Sequence, residues 1–276
     1  NALRRFEREA RATAHLRSTH TVELYDFGRT DAGDFYYVME LLDGMDLDAL
    51  VRRDGPQPAW RVVRMVRQRC LSLAEAHEQG LIHRDIKPAN IFLCRQGAKL
   101  DIIKVLDFGL VTGISRSDRD DPTGLTREDE ILGTPAFMAP EMAVAPDDVD
   151  HRADLYAVGC VAYWLLAGRH LFDEDTVVAL MFAHVHKAIP SPLFAKVAGP
   201  VPGALEALLT CLLAKSPTDR PQSAREVLRL LDQIEVSGEW DEGQLRDWWS
   251  TVAPPPTSSP RTRLRNEVVP RPRSAR

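Results

Sequence analysis

His83-Arg84-Asp85-Ile86-Lys87-Pro88-Ala89-Asn90, with Asp107-Phe108-Gly109 beginning seventeen residues after Asn90, is the stretch that decides how this chain is read. Asp85 is a carboxylate able to accept a hydroxyl proton, and Lys87 places an ammonium two residues on. Asn90 and Asp107 supply an amide and a carboxylate oxygen, the hard ligands that magnesium prefers. A base, a phosphate-facing cation and two oxygen ligands in this order suit phosphoryl transfer. An isolated Asp-Phe-Gly reads as a turn; joined to the preceding octapeptide, it reads as part of a site.

Working outward, residues 59–79 have the length and apolar spacing of a long helix that Gly80 stops. Residues 81–94 and 102–108 read as short strands and loops. Residues 22–27 and 34–41 read as strands about the turn signal Asp31-Ala32-Gly33, and 47–53 as a short helix. Residues 2–17 read as a charged helix in which Leu3, Phe6, Ala10 and Ala14 fall on one face. After a polar stretch, 115–130, helices are expected at 153–167, 175–187, 203–213 and 223–234. A last amphipathic segment, 241–252, puts Leu245, Trp248, Trp249 and Val252 on one side. Proline and arginine dominate 254–276, a composition that cannot bury enough apolar area to offset its ordering entropy, so this tail is expected to be disordered.

At 276 residues, 44% hydrophobic and 27% charged, the chain is long enough for one large or two small soluble domains. Its formal charge of -5 is uneven: residues 254–276 hold six arginines and one acid, Glu267, so they carry +5 and the other 253 residues -10. An acidic body with a basic tail argues against a nucleic-acid-binding fold. Cys70, Cys94, Cys160 and Cys211 have no CxxC or metal-ligand spacing and read as small hydrophobes of a reducing compartment, hence a cytoplasmic location. The longest apolar run, 155–167, is shorter than the roughly 18 residues needed to span a bilayer. No signal-peptide pattern is present.

With these motifs quoted, the chain resembles the eukaryotic-like Ser/Thr protein kinases of bacteria, from residue 2 to about residue 236. The resemblance implies an α+β, protein-kinase-like fold. Residues 1–42 would be the last part of a small β-rich N-lobe (helix C, late strands and hinge) and 43–236 a mostly helical C-lobe. A C-terminal amphipathic helix, 237–253, and the disordered tail, 254–276, would follow. It implies ATP and Mg2+ as cofactors, protein substrates with Ser/Thr acceptors, and scope for self-association in autophosphorylation.

By the same resemblance, Asp85 is the catalytic base, and Lys87 meets the transferring phosphate and marks a Ser/Thr rather than a Tyr kinase. Asn90 and Asp107 are the metal ligands, and His83 and Phe108 pack as supports. Arg84 receives a phosphorylated activation segment; its phosphosite is Thr126, with Thr123 second, unless these are plain solvated hydroxyls. Glu128, Asp129 and Glu130 could partly stand in for that phosphate. Gly133-Thr134-Pro135-Ala136-Phe137-Met138-Ala139-Pro140-Glu141 matches the segment's end. There Thr134 touches Asp85 and Lys87, and Glu141 pairs with Arg220. Asp154 holds the catalytic loop through backbone hydrogen bonds. On the nucleotide side, Met39 guards the back of the adenine pocket and the backbones of Glu40 and Leu42 bond the base. Asp46 reaches the ribose, and Phe92 forms an apolar floor. An edge strand followed by a helix start would show the same residues.

The pattern departs from the family at its beginning. Glu9 sits where the family has a helix glutamate paired with a strand lysine, yet no lysine precedes Lys87 and no glycine-rich loop precedes this helix. With Asn1 in place of a Met, the expectation is an N-terminally truncated kinase chain, weakly active or inactive by itself. One competing reading is a pseudokinase-like scaffold, which has no need of Asp85, Lys87, Asn90 and Asp107 together. Another is a small-molecule phosphotransferase, which has no need of the 133–141 segment.

Overall fold

The computed structural model describes residues 13–30, 35–106, 108, 135–190, 193 and 200–252. Glu9, Asp107, Thr123, Thr126, Thr134 and the 254–276 tail lie outside the described residues. The strands are β1 (Leu24–Arg29), β2 (Phe35–Met39), β3 (Asp43–Asp46), β4 (Ile91–Gln96) and β5 (Lys99–Val105). Between β3 and β4 come α1 (Leu47–Asp54) and α2 (Ala59–Glu78). After β5 follow α3 (Pro140–Val144), α4 (Arg152–Ala167), α5 (Val177–His186), α6 (Gly203–Leu212), α7 (Ala224–Leu231) and α8 (Glu242–Ser250).

A helix that is apolar on every side has to be buried on every side. That explains α4: each residue from Ala153 to Leu166 is buried, and α2, α3 and α6 pack around it. Its only acid in the first turn, Asp154, is therefore deep inside the molecule. Helix α2 keeps a wide apolar stripe and lies against β5, α4 and α7. It ends where Gly80 takes φ 74, a left-handed conformation that glycine adopts without steric penalty.

Strands β3, β4 and β5 form one antiparallel sheet in that order, with Asp46 opposite Phe92 and Leu93 opposite Ile103. β1 and β2 form a separate antiparallel pair. Residues 20–22 tie β5 to the start of β1: Val105 N–H donates to His20 O at 2.8 Å, and Val22 N–H to Val105 O at 2.9 Å. The β1–β2 pair leaves Tyr25 and Val38 exposed, and Leu41, just past it, is 82% exposed. This is the exposed apolar face that two strands with few sheet partners present.

Strand β3, Asp43-Gly44-Met45-Asp46, is absent from the sequence reading because Gly and Asp are poor strand formers. Its pairing with β4 overrides that preference, and Gly44 is what permits it. A Cβ at position 44 would sit 2.1 Å from Leu93 O. The expected helix at 2–17 lies mostly outside the described residues, and the other expected helices and strands fall within a few residues of their observed bounds. Among the described residues, no helix is long and apolar enough to cross a membrane.

Candidate active site

The loop between α2 and β4 carries the octapeptide, and Asp154 holds it from below. Asp154 Oδ2 accepts from His83 N–H at 2.9 Å and from His77 Nε2–H at 2.8 Å, while Oδ1 accepts from Arg84 N–H at 2.9 Å. Burial alone would raise the Asp154 pKa, but the hydrogen bond and charge of His77, then His83, outweigh it and hold the carboxyl below its ordinary value. These bonds matter because Arg84 has φ 65, a region costly for a side chain with Cβ. Such a residue persists only where its surroundings over-determine it. The Arg84 side chain itself is exposed.

His83 is fully buried between the loop and the end of β5. Asp85 N–H donates to its Nδ1 at 3.3 Å, and its Nε2–H donates to Leu106 O at 2.8 Å. The ring is thereby fixed as the neutral Nε2–H tautomer, packed 4.8 Å from the Phe108 ring. Burial first, then the Arg69 guanidinium, push its pKa down to about 4. His184 is likewise pushed to about 4 by burial and Lys215. Unfolded, both rings take up protons near pH 6.5, so the unfolded state binds more protons between 6.5 and 4. Stability is therefore expected to fall as pH drops through that window, and Tm measured at half-unit steps checks it. The His83 imidazole resonances should stay those of a neutral ring until about pH 4.

Asp85, Lys87 and Asn90 converge. Lys87 Nζ lies 2.9 Å from Asp85 Oδ2. Asn90 Nδ2 donates to that same Oδ2 at 3.0 Å and to Asp85 O at 2.9 Å. With both amide hydrogens turned inward, Asn90 presents its carbonyl oxygen, the atom suited to a hard cation. The donor chemistry therefore fits Mg2+ from the Asn90 side. Among the described residues, no group of three or more His, Cys, Asp or Glu forms a metal cluster. Asn90 also fixes β5, since Leu106 N–H donates to Asn90 O at 3.0 Å. A small cleft beside Asp85, of about 20 Å³, is lined by Arg84, Asp85, Ile86, Phe137, Met138 and Met142, among others.

On the other side of β4, Phe92 and Asp46 are cross-strand neighbours. Asp46 Oδ1 caps α1 by accepting from Ala49 N–H at 2.7 Å, so one of its two oxygens has a structural job. Glu40 N–H donates to Glu23 O at 3.0 Å, and its carboxylate accepts from Glu23 N–H at 2.9 Å and Lys104 Nζ at 2.5 Å. Of the Glu40 backbone, this leaves the carbonyl for a base. Met39 ends β2, and Leu42 immediately precedes β3.

Lys104, which the sequence reading did not single out, is buried in β5 and also donates to Thr21 O at 3.3 Å. A lysine inside the apolar run Ile102-Ile103-Lys104-Val105 was the available signal. Lys104→Met is expected to lower stability by about 1–3 kcal/mol, because Glu40 loses a charged partner; a urea midpoint measures it. His77, the Asp154 partner, was missed as well.

Farther out, Arg220 and Glu141 form a forked pair, Nη1 to Oε1 at 2.6 Å and Nη2 to Oε2 at 2.8 Å. Arg220 also donates to Ala214 O, Arg152 O and Lys215 O at 2.8, 3.0 and 2.9 Å, so all five of its N–H groups are used. The guanidinium lies 4.9 Å from the centre of the Tyr156 ring.

Comparison with known proteins adds to this geometry. The family model described as the protein kinase domain matches residues 1–230. The chain is 39% identical over 220 residues to the serine/threonine-protein kinase pkn3 of Myxococcus xanthus, covering 80% of this chain and 40% of that protein. It is 38% identical over 226 residues to the serine/threonine-protein kinase PknB of Mycobacterium leprae, covering 81% of this chain and 34% of that protein. The chain thus spans well under half the length of these relatives. The crystal structure of the Mycobacterium tuberculosis PknI kinase domain, as a C20A_R136A double mutant, aligns with a TM-score of 0.61 and 28% identity, over 84% of this chain and 78% of that one.

Proposed function

The chain belongs to the protein kinase domain family, among its eukaryotic-like bacterial Ser/Thr members, and on that premise we propose that its octapeptide site transfers the γ-phosphoryl group of ATP to Ser or Thr of protein substrates. The observation that carries this reading is the convergence of Lys87 and Asn90 on one Asp85 carboxylate oxygen, over a loop pinned by Asp154. Lys87 and Asn90 hold Asp85 Oδ2, which leaves Oδ1 to accept the hydroxyl proton and align the nucleophile. Lys87 would meet the transferring phosphate. Asn90 Oδ1, together with Asp107, would hold Mg2+. The ion supplies neutralisation of phosphate charge when bound. Met39, the Glu40 carbonyl, Leu42, Phe92 and the second Asp46 oxygen would receive the nucleoside.

Asp85 is partly exposed beside Arg84 and Met138, and a protein segment would approach the base from that side. Arg84, exposed and held in its left-handed conformation, would take a phosphate on the activation segment, with Thr126 as its site and Thr134 beside the acceptor. The described cysteines are unpaired, in keeping with a reducing, cytoplasmic setting.

One feature favours a second reading, a kinase-fold scaffold. No lysine precedes Lys87 in these 276 residues, so a strand lysine to grip the α- and β-phosphates is not among them. Activity of this polypeptide by itself is therefore expected to be weak, because one lost electrostatic contact of this kind costs about 3 kcal/mol in transition-state stabilisation. The test is radiolabel transfer from Mg-ATP to Ser-, Thr- and Tyr-containing peptides by the purified chain. Transfer to Ser or Thr that vanishes in Asp85→Asn supports the kinase reading. Nucleotide binding without any transfer supports the scaffold, and transfer to tyrosine overturns the acceptor assignment.

A further inference from the structure

The family match stops at residue 230, yet the chain remains folded beyond it. Helix α8 starts from a capping box in which Gln244 N–H donates to Asp241 Oδ1 at 2.8 Å and Asp241 N–H donates to Gln244 Oε1 at 3.0 Å. Its buried face ends on Asp101, a residue only 1% exposed that takes φ 57 inside β5. A non-glycine residue stays in that conformation only when its neighbours hold it. Arg61 forks onto both Asp101 carboxylate oxygens at 2.8 and 2.9 Å, and Gln68 Nε2 donates to Asp101 O at 2.8 Å. Trp249 Nε1–H completes the set with a bond to Asp101 Oδ1 at 2.8 Å. The buried Arg61 guanidinium is covered by indoles, with Trp248 at 4.0 Å and Trp240 at 5.2 Å from ring centre to guanidinium.

From Asp101, β5 runs to Val105 and into Leu106, whose N–H donates to Asn90 O and whose carbonyl accepts from His83. The chain of contacts is continuous, from a C-terminal indole through one carboxylate and one strand to the loop that carries Asp85. We propose that residues 237–252 brace the β4–β5 hairpin, and that Trp249 is the positioning residue through which the brace acts. Only the catalytic consequence of the brace rests on the kinase reading.

The test is amide hydrogen exchange on the nucleotide-free, 276-residue chain, wild type against Trp249→Phe. Phenylalanine fills most of the space and removes the N–H donor. The amides of Ile103, Val105 and Leu106 are expected to exchange about tenfold faster, with α4 and α6 unchanged. Arg246→Gln is the control: it sits on α8 but is exposed and bonds Glu242 of the same helix at 2.7 Å, so it should leave 103–106 as in wild type. If Trp249→Phe does not fold, the Trp249 indole N–H of the wild-type chain is read instead, and it is expected to exchange as slowly as the amides of 103–106. Unchanged rates at 103–106, or acceleration spread evenly over all helices, would overturn the brace. A chain unable to transfer phosphate would leave these rates standing, so the two readings fail separately.

Discussion

Replacing Arg220 by methionine is expected to cost the folded chain about 3–5 kcal/mol, the loss typical of a buried ion pair broken from one side. The magnitude follows from what remains behind. The Glu141 side chain is 12% exposed and would keep its charge with no fork to meet it. The carbonyls of Ala214, Arg152 and Lys215 would lose their donors as well. Arg220→Lys should fall between, since an ammonium has three donors and no planar fork. The double variant Glu141→Leu/Arg220→Met should recover much of the loss, because it removes the orphaned charge that the single variant leaves. Urea unfolding of the four proteins measures this. A single-variant cost below about 1 kcal/mol would place the pair with ordinary surface ion pairs. The pair also bears on the site, since it fixes α3, and with it the end of the cleft at Met142, to the turn before α7.

What the sequence makes legible here is what local chemistry decides. Helix α4 announces itself by continuous apolar content, α2 by length and stripe, and the octapeptide by residue type and spacing. What it hides is decided by partners distant in the chain. β3 exists because β4 pairs with it and Gly44 lets the backbones close, a contact spanning some fifty residues. Trp248 and Trp249 are visible as one side of an amphipathic segment. That one indole meets Asp101 is not, because Asp101 lies 148 residues away in the chain. Asp46 carries two signals at once. An Asp immediately before a helix is a local N-cap signal. One carboxylate oxygen serves that cap, and the resemblance assigns the other to the ribose.

Asp85→Asn is expected to lower phosphoryl transfer by about a hundred- to ten-thousand-fold relative to the same chain unmutated, the range by which a positioned general base contributes. The substitution keeps size and shape, so it separates charge and basicity from packing. Asn90 can still donate to the retained carbonyl oxygen of residue 85, and Asp154 still pins His83 and Arg84. The folded stability should therefore change little, which circular dichroism melting checks. Lys87 loses its carboxylate partner, so its ammonium is free to follow the phosphate; nucleotide affinity should hold or rise while turnover collapses. That divergence distinguishes a base from a merely structural carboxylate, whose loss would lower stability and binding together. Lys87→Met should show the opposite divergence, weaker productive binding of the phosphates with the Asp85 base intact. If transfer survives Asp85→Asn at the wild-type rate, the convergence of Lys87 and Asn90 on Asp85 is a structural knot, and the proton must leave by another route.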